Sequence, residues 1–163
     1  MPLPTTQGQT TPIPGGLLYP GEVTQYKGQN LTSISVFLED LVQHPDVSIA
    51  GVQNIVQANY RLIVNDHVNQ PLSYTFDDAV NNFISYQKVA TLPCVKGWSA
   101  TMLWQGVRVN DLLQEAGVSP NATTLIFSAS DGYTTALPLD YVVQNNLILA
   151  YKMNNVTLTA ASG

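Results

Sequence analysis

An α+β domain, with a single mixed sheet and short helices, is the fold class expected of this chain, on three observations. Apolar segments of strand length, "TTLIFSA" and "NLILAYKM" among them, alternate with brief helical patterns such as "NDLLQEAG". The connections lack the long crossover helices of a doubly wound sheet, and no GxGxxG or GxxxxGK[ST] pattern occurs. Hydrophobic residues make up 45% of the 163 and charged residues 10%, which suits one packed core and not a disordered, charge-rich segment.

Residues 1–18, "MPLPTTQGQTTPIPGGLL", read as a flexible Pro/Thr/Gln-rich leader without the charged and apolar regions of a signal peptide. The folded domain is expected over 19–163. Apolar runs fall short of the roughly 20 residues a membrane helix needs, so no membrane span is expected. The net charge is −5, and the six cations (Lys27, Arg61, Lys88, Lys96, Arg108, Lys152) do not cluster in sequence. A nucleic-acid partner is therefore not expected, because phosphate binding calls for a basic stripe. One cysteine cannot form an internal disulfide and leaves the compartment open. Asn-x-Thr triplets at Asn30, Asn121 and Asn155 fit export about as well as chance, so an extracytoplasmic location is favoured only slightly.

The elements follow in order. "SISVFLEDLV" suits a short helix with Ser33 or Ser35 near its N-cap. Tyr60, Leu62 and Val64 alternate with Arg61, Ile63 and Asn65 as in a strand, and Asn65–Asp66 supplies the turn. "VNQPLSYTF" reads as an edge strand, since Pro71 has no N–H to donate. Thr75 with Asp78 offers an N-cap, and Val80, Phe83 and Ile84 would share one face of the helix that follows. "QKVATLPC" returns as a strand ending at the cysteine. "NDLLQEAG" is a helix between an Asn110 cap and a Gly117 stop. "TTLIFSA" and "YTTALPL" flank the turn "SDG". Then come a helical turn "LDYVVQ", a buried strand "NLILAYKM", an "NN" turn and the strand "VTLT".

Few constellations of side chains suggest chemistry. His44 and His67 show no metal-type spacing, and Asp77–Asp78 suit dipole-complementing charge in a first helical turn. Cys94 admits two readings. A free cysteine commonly packs as a small buried hydrophobe. This one stands where a strand ends, between Pro93 and Gly97, a position from which a thiolate can serve as nucleophile, redox thiol or soft metal ligand.

The segments "TLPCVKGWSATMLWQGVRVNDLLQEAGV", "LIFSASDGYTTALPLDYV" and "LILAYKMNN" resemble the oxidoreductase molybdopterin-binding domain family, the relatives of sulfite oxidase and of bacterial sulfoxide reductases. "YRLIVNDHVNQPLSYTFDDAV" is similar to the family's opening strand pair and helix, so the likeness spans nearly everything after residue 18. It implies a sulfite oxidase-like fold and molybdopterin with molybdenum as cofactor. Cys94 would be the metal ligand and catalytic centre. Val95, Lys96, Gly97 and Trp98 would line the cofactor pocket, with Ser48 in "VSIAGVQNI" and the hairpin residues Asp131, Gly132 and Tyr133 as further contacts. Lys96 departs from the acidic residue many relatives carry there, and a cation beside the metal would favour an anionic substrate. Trp98 and Trp104 suit core aromatics, and Arg61 and Arg108 are the only guanidinium groups available for an anion.

Relatives continue past the position of Gly163 with a strand and a Lys/Trp-rich loop that reach the pterin and its phosphate. From this, incomplete cofactor binding is expected, together with an open strand edge at which the chain could self-associate. Two functions follow. The first is molybdopterin-dependent oxygen-atom transfer on a small sulfur- or nitrogen-oxo substrate, with electrons passed to a separate electron-transfer protein. The alternative is a cofactor-free binding or structural domain of the same fold.

Overall fold

The structure, a computed structural model, describes residues 16–43, 50, 53–93 and 97–158. The leader up to residue 15, His44, Ser48, Cys94, Val95 and Lys96 lie outside the described residues. The α+β class holds, with four α-helices among the described residues. In place of one mixed sheet there are four smaller ones, and every described strand pair is antiparallel. Short connections join most of these pairs, whereas β6 and β9 pair across the whole segment 109–147.

The chain enters through the hairpin β1 (Gln25–Tyr26) and β2 (Gln29–Asn30), then helix α1 (Ile34–Gln43). Ser33 precedes the helix, its Oγ accepting from Val36 N at 3.5 Å. The stronger anchor comes from Glu22, whose carboxylate accepts Ile34 N at 2.7 Å and Tyr19 N at 2.9 Å. A carboxylate at the first turn satisfies an orphan N–H and complements the helix dipole. Strands β3 (Leu62–Val64) and β4 (Leu72–Tyr74) form the expected pair. Asp66 and His67 both take positive φ in the turn between them.

Helix α2 (Phe76–Asn81) starts on a complete capping box between Thr75 and Asp78. It ends sooner than the apolar spacing suggests. Asn82 is its C-cap, Ala79 is its buried residue, Phe83 lies beyond it edge-on to Tyr74 at 5.3 Å, and Ile84 is 70% exposed. Val80, Phe83 and Ile84 therefore do not form one helical face, because Ser85 already belongs to a strand.

That strand, β5 (Ser85–Pro93), pairs with β6 (Ser99–Arg108) from Ser85↔Val107 to Pro93↔Ser99. Strand β6 also pairs with β9 (Ile148–Met153), which carries β10 (Val156–Thr157), giving the order β10-β9-β6-β5. Among the described residues no strand lies beside the outer edge of β5. The sequence pattern does not announce strand β6. It is central and covered on both faces, so Ala100, Met102, Leu103 and Val107 are all buried and no alternation shows.

Helix α3 (Val109–Ala116) follows at once, with Arg108 rather than Asn110 as N-cap, so Asn110 lies in the first turn. It stops at Gly117, whose φ of +65° is the left-handed cap expected there. Strands β7 (Thr124–Ser128) and β8 (Thr134–Pro138) pair about the "SDG" turn, and helix α4 (Leu139–Gln144) leads into β9.

The core has two centres. One joins Tyr19, Ile34, Phe37 and Leu38 to Ala100, Met102 and Met153, so α1 covers one face of the four-stranded sheet. Phe37 meets Trp98 and Trp104 edge-on at 5.9 and 6.3 Å, which makes both tryptophans core aromatics, as expected. The other centre joins Val109, Leu113 and Val142 to Leu125, Phe127, Leu137 and Leu149. Full burial of such a side chain contributes roughly 1.5–3 kcal/mol and partial burial less, and together these contacts hold the β7–β8 ribbon on α3 and α4.

Candidate functional site at the β5–β6 connection

Because Pro93 pairs with Ser99, the connection from β5 to β6 consists of Cys94, Val95, Lys96, Gly97 and Trp98. Its base is clamped. Thr91 Oγ1 and Thr101 Oγ1 share a hydrogen bond of 2.8 Å across the two strands. Thr32 ties β6 to the segment before α1, its N–H donating to Thr101 O at 2.8 Å and its Oγ1 accepting Thr101 N at 3.0 Å.

Gly97 has φ +91°, which strains any residue with a Cβ. A Cβ there would meet nothing within 4 Å, so its backbone, not crowding, calls for glycine. Trp98 then turns inward onto Phe37, and its indole N–H is buried without a partner among the described residues. An unspent buried donor is uncommon and costs about 1–3 kcal/mol.

Asp131, Gly132 and Tyr133 form the β7–β8 turn. Ala129 N donates to Tyr133 O at 2.8 Å, Gly132 N to Ala129 O at 3.1 Å, and Tyr133 N to Asp131 Oδ1 at 2.9 Å. Gly132 takes φ +89°. The Asp131 carboxylate thus helps shape its own turn. Trp98 belongs to the first core centre, whereas β7 and β8 pack on the second.

Groups with displaced pKa values lie around β3, β4 and α2. Burial raises Tyr60. Tyr74 is pushed up to about 12, chiefly by burial and then by its bond to Glu115. Asp78 is lowered by its hydrogen bonds from Thr75. Arg61 is exposed and donates to Ala58 O and Tyr60 O at 3.0 and 2.6 Å, a structural role. Among the described residues no group of three His, Cys, Asp or Glu side chains could hold a metal. None of the described helices is long and apolar enough to cross a membrane.

Residues 49–163 match the profile of the oxidoreductase molybdopterin binding domain, and the chain belongs to that family. It is similar to three curated proteins in particular. The oxidoreductase YuiH of Bacillus subtilis is 38% identical over 105 residues, covering 64% of this chain and 52% of its own. The putative protein-methionine-sulfoxide reductase subunit YedZ1 of Azospira oryzae is 27% identical over 69% of this chain and 42% of its own. The protein-methionine-sulfoxide reductase catalytic subunit MsrP of Gluconobacter oxydans is 24% identical over 93% of this chain and 49% of its own. Among solved structures, the sulfane dehydrogenase SoxCD of Paracoccus pantotrophus superposes with a TM-score of 0.64 at 25% identity, over 68% of this chain and 33% of its own. The chain spans about half the length of the curated relatives it matches.

The cofactor of this family is molybdopterin with molybdenum. The residues of the β5–β6 connection are compatible with such a group: its sequence holds the chain's one thiol, a soft donor of the kind that suits molybdenum, and three residues later a glycine at which an added Cβ would meet nothing within 4 Å.

Proposed function

We propose that this chain is an oxygen-atom-transfer domain acting on a small sulfur- or nitrogen-oxo substrate, with Cys94 as the protein ligand of the metal. The observation that supports it is the position of the chain's one cysteine, directly after β5 and three residues before the φ +91° glycine of a clamped connection, within the residues that match the family. The names of the relatives YedZ1 and MsrP, both protein-methionine-sulfoxide reductase subunits, support a sulfur-oxo substrate.

When bound, the cofactor supplies a molybdenum centre that exchanges an oxygen atom and two electrons with the substrate. The chain's own residues hold and orient it. Cys94 would donate its thiolate, with Pro93 restricting the backbone on the strand side. Gly97 would reverse the chain so that the connection stands clear of the sheet. Trp98 would pin the connection to Phe37 and limit its drift relative to β6. Val95, Lys96 and Ser48 would line the pocket, Lys96 drawing in an anionic substrate. Asp131, Gly132 and Tyr133 would contribute through a turn whose shape is set before binding. Electrons would come from or go to a separate redox protein. An extracytoplasmic setting is consistent with three Asn-x-Thr triplets whose asparagines, Asn30, Asn121 and Asn155, are exposed.

The test is elemental molybdenum per chain, measured on protein from a cofactor-competent host beside Cys94→Ser. Close to one molybdenum per chain in the parent and far less in the variant is the expected result. A parent without molybdenum would overturn the catalytic reading and favour the cofactor-free domain.

A further inference from the structure

The α4–β9 loop, the start of β9, the end of β6 and the start of β5 border an open hollow of about 390 Å³. Its walls include Tyr86, Lys88, Arg108, Asn145, Asn146 and Ile148. These residues are distant in sequence and meet because β5, β6 and β9 are neighbours in the sheet. The hollow is separate from the β5–β6 connection. Lys88 precedes Pro93, the last residue of β5, by five residues on an extended strand, roughly 16 Å at the usual rise.

Two of the chain's six cations meet here, in a protein whose net charge is −5. The guanidinium carbon of Arg108 lies 4.1 Å from the Tyr86 ring centroid. Its edge is held by Asp111, with Nε to Oδ2 at 3.3 Å and Nη2 to Oδ1 at 3.0 Å. Stacked and braced, the group has little freedom left to lose on binding. Asp111 engages two of its five N–H donors, and the remainder stay available. Lys88 Nζ donates to Asn145 O at 3.3 Å, and among the described residues it has no carboxylate partner. Asn146, held at φ +47°, makes no side-chain hydrogen bond among the described residues. The hollow therefore gathers a braced guanidinium, an ammonium and an unspent amide, with Asp111 offsetting only one of the two positive charges.

We propose that this hollow is a binding site for a small inorganic oxyanion of the phosphate or sulfate class, held between Lys88 and Arg108 with Asn146 as a third donor. Charge-assisted hydrogen bonds from a planar guanidinium suit such an anion in geometry as well as charge.

The experiment is an amide NMR titration of the full chain with inorganic phosphate, ionic strength being held constant with chloride. Saturable shifts confined to Tyr86, Lys88, Arg108 and Asn145–Ile148 are expected. Lys88→Gln, a substitution at an exposed site, should raise the half-saturation concentration about fivefold or more, the loss of one charge-assisted bond. Asn146→Gly keeps the positive φ while removing the amide, and should weaken binding in the same direction. Non-saturating shifts spread over the surface would overturn the proposal. So would saturation at an unchanged concentration in Lys88→Gln.

Discussion

The side chain of Asn154 completes the backbone of Leu103: its Oδ1 accepts Leu103 N at 3.0 Å, while Asn154 N donates to Leu103 O at 2.8 Å. The same amide donates to Thr32 O at 2.8 Å. A fully buried asparagine thus joins the β9–β10 turn, the central strand β6 and the segment before α1. Such a residue is tolerated in a core because its amide is fully used.

Asn154→Ala should destabilise the fold by on the order of 2–4 kcal/mol, since the buried Leu103 N–H and the part-buried Thr32 carbonyl lose their partners. Alanine would also resist the φ of +45°. Urea unfolding followed by tryptophan fluorescence measures this. A loss much below 1 kcal/mol would mean that water replaces the amide.

Gly106→Ala should be more damaging than Gly97→Ala. At Gly106 an added Cβ would lie 2.0 Å from Leu149 O and 2.7 Å from Ala150 Cα, both backbone atoms. The contact arises where the β6–β9 register jumps and skips Tyr151, so relief requires the bulge to open. The expected cost exceeds about 3 kcal/mol, against about 1–3 kcal/mol for the strained but uncrowded Gly97. Equal thermal shifts in the two variants would contradict the close approach at Gly106.

Tyr74 should ionise near pH 12 rather than at 10.0. Burial, the hydrogen bond to Glu115 and nearby carboxylates all favour the protonated phenol. Because the folded pKa is the higher one, this contribution is complete below pH 10.0 and is lost as the pH rises through about 12. Ultraviolet titration of the parent minus Tyr74→Phe isolates this group from the other tyrosines. Glu115→Gln should lower the midpoint, and a Tyr74 midpoint at 10.0 would refute the assignment.

The Thr75–Asp78 capping box should give a second, acid-side dependence. Thr75 N and Oγ1 donate to Asp78 Oδ2 at 3.1 and 2.6 Å, which stabilises the carboxylate and lowers its pKa below 3.8. With the folded value depressed, the contribution is present above pH 3.8 and fades as the pH falls through the folded value. Thr75→Ala should cost about 1 kcal/mol at neutral pH. It should also flatten the acid limb of the stability–pH curve, as read from urea melts. An unchanged acid limb would place that dependence elsewhere.

What the sequence determined alone is local. The Thr75 cap, the Gly117 stop, the β7–β8 turn and the end of β5 at the cysteine connection were legible because neighbouring residues set the backbone there. Cys94, Lys96 and Asp131–Tyr133 draw attention through a family resemblance that is read along the linear chain. Only the tertiary structure decided what depends on distant partners. Strand β6 is central because β5 and β9 flank it, and burial on both faces erased the alternation that would have announced it. Asn154 is a core residue because Leu103 and Thr32 need its amide. Lys88, Arg108 and Asn146 share a hollow through strand pairing, a relationship that no local spacing encodes.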